Sequence, residues 1–206
     1  MNYYISDLHL FHKNVTKAGL DFDNRPFADL DEMHAHIMER WNNKVTNGDV
    51  VYILGDLAMR GTRDDLEGYV SKLKGRKILI KGNHDDLSDA RYRRLCDYVC
   101  DYKEVTDKIG GDSVKLVLSH YPILMWNGQR RGSILLYGHV HNSNDDLVFQ
   151  DSLSRFNKEV QENCSSGAPE MKAYNVGCMA PYVDYEPRSI QEIVENRKQT
   201  KLSRTD

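Results

Sequence analysis

Seven side chains in this sequence are of kinds that bind divalent metals, and they fall in five short clusters. Asp7 and His9 stand in Asp7-Leu8-His9, and Asp56 follows Gly55. Asn83 follows Gly82 and opens Asn83-His84-Asp85. His120 follows Ser119, and His139 and His141 flank Val140 directly after Gly138. Imidazole and carboxylate ligands suit Mn, Fe, Zn, Co or Ni. The set is too large for one tetrahedral ion but sufficient for two ions if one carboxylate bridges. The single residue inside Asp7-x-His9 and His139-x-His141 puts each pair on one side of an extended segment. The glycines before Asp56, Asn83 and His139 permit sharp turns and close backbone approach. Two divalent ions against the charges of Asp7 and Asp56, with a bridging hydroxide added, leave a net positive site suited to an anionic phosphoryl group. Such ions lower the pKa of a bridging water and clamp the oxygens of an in-line displacement.

Each cluster directly follows a stretch that reads as a strand. Residues 2–6 are rich in Tyr and Ile, and 49–54, 77–80 and 134–137 are apolar runs. Residues 102–109 and 114–119 are joined by Gly110-Gly111-Asp112, a hairpin signal. Residues 172–176 read as a late strand. Leu30, Met33, Ile37, Met38 and Trp41 recur at helical spacing behind Asp29, a plausible N-cap. Residues 62–73, ended by Gly75, and 88–98 read as helices, and Ser189-x-x-Glu192 is a capping box opening a last one. Residues 14–27 read as a loop, and the polar stretch 142–170 as an insertion or long surface loop within a single domain spanning 1–206. Strands alternating with helices define an α/β architecture. The hairpin in the middle favours a mixed sheet, or two sheets between helices, over a doubly wound sheet, and no GxGxxG supports a dinucleotide site. In α/β sheets the carboxyl ends of strands line the ligand crevice, so five clusters delivered to one edge can converge.

The 206 residues are enough to bury a core without a disulfide or structural metal. With 40% hydrophobic and 29% charged residues, disorder is excluded. A net charge of −3 gives no global basic field for holding nucleic acid by bulk electrostatics. No apolar run reaches the ~18 residues of a membrane span. The first residues reach Asp7 without an early positive charge, unlike a secretory signal. Cys96, Cys100, Cys164 and Cys178 form no CxxC pair, which suits free thiols in a reducing cytoplasm.

The motifs, in this order and each at a strand end, resemble those of the calcineurin-like metallophosphoesterases. The resemblance spans residues 1–141 and, more loosely, 174–177. It implies a four-layer αββα sandwich with mixed β-sheets and a dinuclear centre. It makes Asp7, His9, Asp56 and His141 ligands of one metal, and Asp56, Asn83, His120 and His139 ligands of the other, with Asp56 bridging. His84 resembles the family's histidine that contacts phosphate and protonates the leaving group, with Asp85 orienting it. The segment 55–61 resembles in part that of the protein serine/threonine phosphatases, which puts Arg60 where those enzymes bind phosphate. Met59 stands where they carry an Asp, and Asp85 where they carry a Glu, a departure from the protein-phosphatase pattern.

These residues support a metal-dependent phosphoesterase with two divalent ions, Mn first and Fe, Zn, Ni or Co as alternatives. Its substrate would be a small phosphate ester or nucleotide, with diesters favoured over monoesters because no large capping domain closes the site. His12, close behind the first motif, is a candidate substrate contact beside Asn83, His84 and Arg60. The alternative is a catalytically inert relative that binds nucleic acid or another partner. His34 and His36 read as non-ligands on a helix, and Trp126 as core. Arg91, Arg93, Arg94 and the run Gln129-Arg130-Arg131 read as solvated surface.

Overall fold

The computed structural model describes residues 1–16, 23, 25–59, 63–88, 90–163 and 167–202. Strands β1 (Asn2–Ile5), β2 (Val50–Ile53), β3 (Arg76–Ile80) and β4 (Tyr98–Cys100) form one sheet in the order β1-β2-β3-β4, parallel throughout. Strands β5 (Tyr102–Ile109), β6 (Asp112–Ser119), β7 (Ile134–Tyr137) and β8 (Lys172–Asn175) form a second sheet in the order β5-β6-β7-β8. Its one antiparallel pair is the β5–β6 hairpin, with Tyr102 opposite Ser119. The rest is parallel.

Strands buried on both faces explain the uninterrupted apolar runs. On β7, Ile134 and Leu136 join the large core, whereas Leu135 and Tyr137 turn to a smaller one with Val117, Trp126 and Leu153. Trp126 is buried there, and its indole N–H donates to the Ser133 hydroxyl at 3.1 Å. Helix α1 (Leu30–Lys44) buries Met33, Ile37 and Trp41 on one face, and Trp41 Nε1 donates to the Lys74 carbonyl at 2.9 Å. Asp29 caps it by accepting from Glu32 N at 2.9 Å. Helices α2 (Arg63–Val70) and α3 (Ala90–Arg94) follow β2 and β3. Helix α4 (Asn144–Asn163) covers the smaller core. Helix α5 (Ile190–Leu202) opens on the Ser189–Glu192 box, with Ser189 N donating to Glu192 Oε2 at 2.8 Å. The layers are those of an αββα sandwich.

Two segments differ from the sequence reading. Residues 142–170 contain the 20-residue helix α4 in place of a long loop. Only Phe149, Leu153 and Phe156, at i, i+4 and i+7, reach the core, so a polar composition concealed an amphipathic helix. The helix expected over 88–98 ends at Arg94, and Tyr98–Cys100 pairs with β3 as an edge strand. Asp97 forces that turn, accepting from Lys77 N at 2.9 Å through its side chain while its own N–H donates to the Lys77 carbonyl at 2.8 Å.

The two sheets meet at their carboxyl ends. Ser6 N donates to Val176 O at 2.8 Å and Cys178 N to Ser6 O at 2.9 Å, so the end of β1 runs beside the end of β8. Gly138 N donates to His120 O at 2.9 Å, tying the ends of β6 and β7.

Candidate metal centre

Five strand ends deliver the seven candidate ligands to this seam: β1 gives Asp7 and His9, β2 Asp56, β3 Asn83, β6 His120, and β7 His139 and His141. The backbone there is strained. Asp7, His9, Asp56, His139 and His141 have φ of 55, 46, 52, 71 and 50°. Asp and His tolerate the left-handed region better than most residues, but each such position still costs roughly 1–3 kcal/mol. Strain concentrated on the residues already singled out by type is a mark of a functional site. The turns also need glycine. At Gly55, φ +88°, a Cβ would lie 2.2 Å from His120 Nδ1. At Gly138 it would lie 2.5 Å from Ser6 Oγ and 2.6 Å from Asp7 Oδ2.

Two groups of candidate ligand atoms result, joined by a third that consists of His9, Asp56 and His84. Asp7, His9 and His141 offer atoms all within 4.8 Å of one another, and so do Asp56, His120 and His139. Asp56 Oδ2 lies 3.6 Å from His9 Nε2 and 3.6 Å from His120 Nε2, midway between the groups. The other oxygen, Oδ1, accepts from His84 N at 2.9 Å, which fixes which oxygen faces the histidines. Asn83 Oδ1 joins the second group, 3.0 Å from His120 Nε2 and 2.9 Å from His139 Nδ1.

The donor chemistry fits cations. His120 Nδ1 sits 2.8 Å from the Leu54 carbonyl, which can only accept, so Nδ1 carries the proton and Nε2 presents a lone pair. That lone pair, the Asn83 carbonyl oxygen and the Asp56 carboxylate all converge, acceptors facing acceptors. His141 Nδ1 lies 3.1 Å from Asp23 Oδ1, which likewise turns its Nε2 toward the first group. Its Nε2 is 3.1 Å from His9 Nε2 and 3.9 Å from Asp7 Oδ1. Two ring nitrogens each ~2.1 Å from one ion stand about 3.0–3.4 Å apart, so the His9–His141 spacing matches a shared ion.

Burial pushes the Asp7 carboxyl above its usual range despite the nearby His141 and His120, a cost that a cation would offset. Burial lowers the pKa values of His9, His12 and His139, favouring the neutral imidazole that ligates metal. His141 goes the other way. Burial alone would lower it, but the Asp23 hydrogen bond and the Asp7 charge raise it overall.

His84 lies beside the constellation, its ring 5.1 Å from that of His9, and the His12 ring is 5.5 Å from that of His9. Asp85 is buried. Its oxygens accept from the backbone N–H of Asp56 at 2.9 Å, Gly82 at 2.8 Å and Leu57 at 3.0 Å. It therefore staples the Asp56 and Asn83 turns together. Arg60 falls outside the described residues. His34 is apart from both groups; its Nε2 accepts from Phe11 N at 3.1 Å.

Sequence reasoning missed the brace behind the first group. Arg25, 3% exposed, donates to Asp7 O and Leu8 O, each at 2.7 Å, and to Asp23 Oδ2 at 2.7 Å. Burial would raise the Asp23 pKa, but the His141 bond and the Arg25 charge hold it below the usual carboxylate range. Asn175 Nδ2 donates to His141 O at 2.6 Å, and Cys178 Sγ to Asp7 O at 3.1 Å.

The family model for calcineurin-like phosphoesterases matches residues 3–163, and the chain belongs to that family. The Gene 66 protein of Mycobacterium phage D29 is 35% identical over 166 residues, 68% of this chain and 78% of that one. An uncharacterized protein of Methanocaldococcus jannaschii is 29% identical over 205 residues, 98% and 94% of the two chains. The crystal structure of a protein of unknown function from Aquifex aeolicus shares the fold, with a TM-score of 0.62 and 23% identity over 98% of each chain. Membership implies a dinuclear centre of divalent ions and action on phosphate esters. No described helix is long and apolar enough to cross a membrane.

Proposed function

We propose that this chain is a two-metal phosphodiesterase, with Asp7, His9, Asp56 and His141 holding one ion and Asp56, Asn83, His120 and His139 the other. The observation that carries the reading is the single oxygen, Asp56 Oδ2, lying 3.6 Å from histidines of both groups. When bound, two divalent ions, Mn²⁺ as the first candidate, activate a water for in-line attack and offset phosphoryl charge. The protein's own residues do the rest. Asn83 and His84 approach the phosphoryl group from the β3 turn, and His84 gives a proton to the departing alkoxide oxygen. His12 and Arg60 are further phosphate contacts. Asp85 holds the two turns at fixed separation through its three backbone bonds. A diester is favoured because Asn83 and His139 are exposed, leaving room for a second esterifying group. Free, buried Cys96 and Cys178 suit a cytoplasmic setting.

The test is hydrolysis of bis-p-nitrophenyl phosphate and p-nitrophenyl phosphate by protein loaded with Mn²⁺, with elemental analysis alongside. Two ions per chain and faster diester turnover are expected. Faster monoester turnover would make it a phosphatase. Bound metal with neither activity would favour an inert binding relative.

A further inference from the structure

The constellation adjoins a large cavity, of about 1370 Å³, reached at His141 and Asp23. Ligand pockets for small organic molecules run to roughly 300–1,000 Å³, so this space exceeds what a simple alcohol group needs. Its walls come from α4, β8 and α5, and Tyr174, Tyr182, Arg197 and Lys198 line it away from the metal ligands. Arg197 is its most telling group. The half-buried guanidinium donates to Tyr182 Oη at 2.9 Å and lies 5.8 and 5.2 Å from the rings of Tyr174 and Tyr182. Among the described residues no ion pair ties it to a carboxylate, although the Asp146 charge across the cavity acts on it. Two carboxylates besides Asp23 line the cavity. Asp146 Oδ1 accepts from Tyr137 Oη at 2.6 Å, and Glu170 is exposed at the rim. An arginine has five N–H donors, and one bond leaves most of them for an incoming anion. Arg197 is also wired to the site: it donates to Tyr182 Oη, that hydroxyl donates to Asn175 O, and Asn175 Nδ2 donates to His141 O.

We propose that this cavity receives the organic arm of the substrate and that Arg197, with Lys198 beside it, reads a second anionic group on that arm. The substrate class is thus a phosphodiester carrying a further phosphate beyond its sugar-sized arm, as in a dinucleotide or a nucleic-acid strand. This deepens the two-metal reading and rests on it for the reaction, but the recognition step is separable because it concerns binding.

The experiment is calorimetric binding of thymidine 5′-monophosphate and thymidine 3′,5′-bisphosphate to the full chain, metal-free in chelator and again with Mn²⁺. The bisphosphate is expected to bind on the order of tenfold tighter in both conditions. Arg197→Met should equalise the two ligands, and Arg197→Lys should keep part of the preference. Equal affinities in the wild type, or an undiminished preference in Arg197→Met, would overturn the proposal. If Arg197→Met does not fold, the wild-type comparison decides alone. Dinucleotide and oligonucleotide arms in the same titration separate the two sources of the second phosphate. Loss of hydrolysis with the binding preference intact would sink the two-metal reading and leave this one standing.

Discussion

The two halves of the metal centre are built to different standards. Around Asp7, His9 and His141 almost everything is buried and braced. Arg25 holds two carbonyls of the ligand turn, Asp23 orients His141, Ser6 Oγ donates to Asp7 Oδ2 at 2.7 Å, and His139 N donates to the same carboxylate at 3.1 Å. Around His120 and His139 the support is thinner. His120 is buried and anchored on Leu54 O, but Asn83 and His139 are exposed, and the Asn83 side chain meets only ligand nitrogens, 3.0 Å from His120 Nε2 and 2.9 Å from His139 Nδ1, among the bonds described for it. Ligands oriented by outer-shell hydrogen bonds bind metal more tightly than ligands left free. The difference predicts one tightly held ion in the buried half and one exchangeable ion in the exposed half, seen as two separate steps in a Mn²⁺ titration.

The strongest way to break the comparison is to remove what the halves share. Asp56→Asn should cost both ions and more than the ~10–100-fold loss typical of an outer-shell change. Elemental analysis should fall from two ions per chain to below one, and a variant that keeps both would refute the bridge. His84→Ala comes next. It should leave the metal content at wild-type level and lower kcat by ~10²–10⁴-fold if His84 protonates the leaving group; an unchanged kcat removes it from the reaction. Smaller still is Asp23→Asn. It should weaken only the tight step of the Mn²⁺ titration, by ~10–100-fold, and spare the weak one. A uniform loss of both steps would show that the two halves are not separately supported.

How much of this could be read from the chain itself follows from the range of the signals. Asp7-x-His9, Gly55-Asp56, Gly82-Asn83-His84-Asp85 and Gly138-His139-x-His141 are local, and each strand that delivers them is a run of apolar residues. Ligand turns and the strands that deliver them were therefore legible. Asp23 and Arg25 were not, because they act across space on Asp7, Leu8 and His141 from a stretch with no hydrophobic period. Asp85 was visible as a residue but not as a staple, since its partners are backbone N–H groups that every residue but proline carries. Helix α4 was hidden because a narrow apolar stripe is diluted by a solvated face, and β4 because three residues are too few to show a period.

The finest contrast is between histidines that serve the site and one that serves only the fold. His34 is buried in α1 and accepts Phe11 N at 3.1 Å, and burial lowers its pKa below the ordinary value of about 6.5. The unfolded chain therefore takes up a proton that the folded chain resists. Stability contributed by the neutral form is present above pH ~6.5 and is lost as the pH falls from there toward the lower folded-state pKa. In chelator, to remove metal linkage, wild-type protein should be less stable to urea at about pH 5.5 than at about pH 7.5. His9, His12 and His139, also lowered by burial, contribute in the same direction, and His141, raised, opposes them. His34→Gln keeps an acceptor for Phe11 N but cannot titrate. It should shrink the acid loss while leaving both steps of the Mn²⁺ titration in place, because no ligand atom comes from α1. An acid loss equal to wild type would mean that His34 takes its proton without cost to the fold. A change in either metal step would mean that the Phe11 turn, two residues beyond His9, transmits the state of α1 to the buried half of the centre.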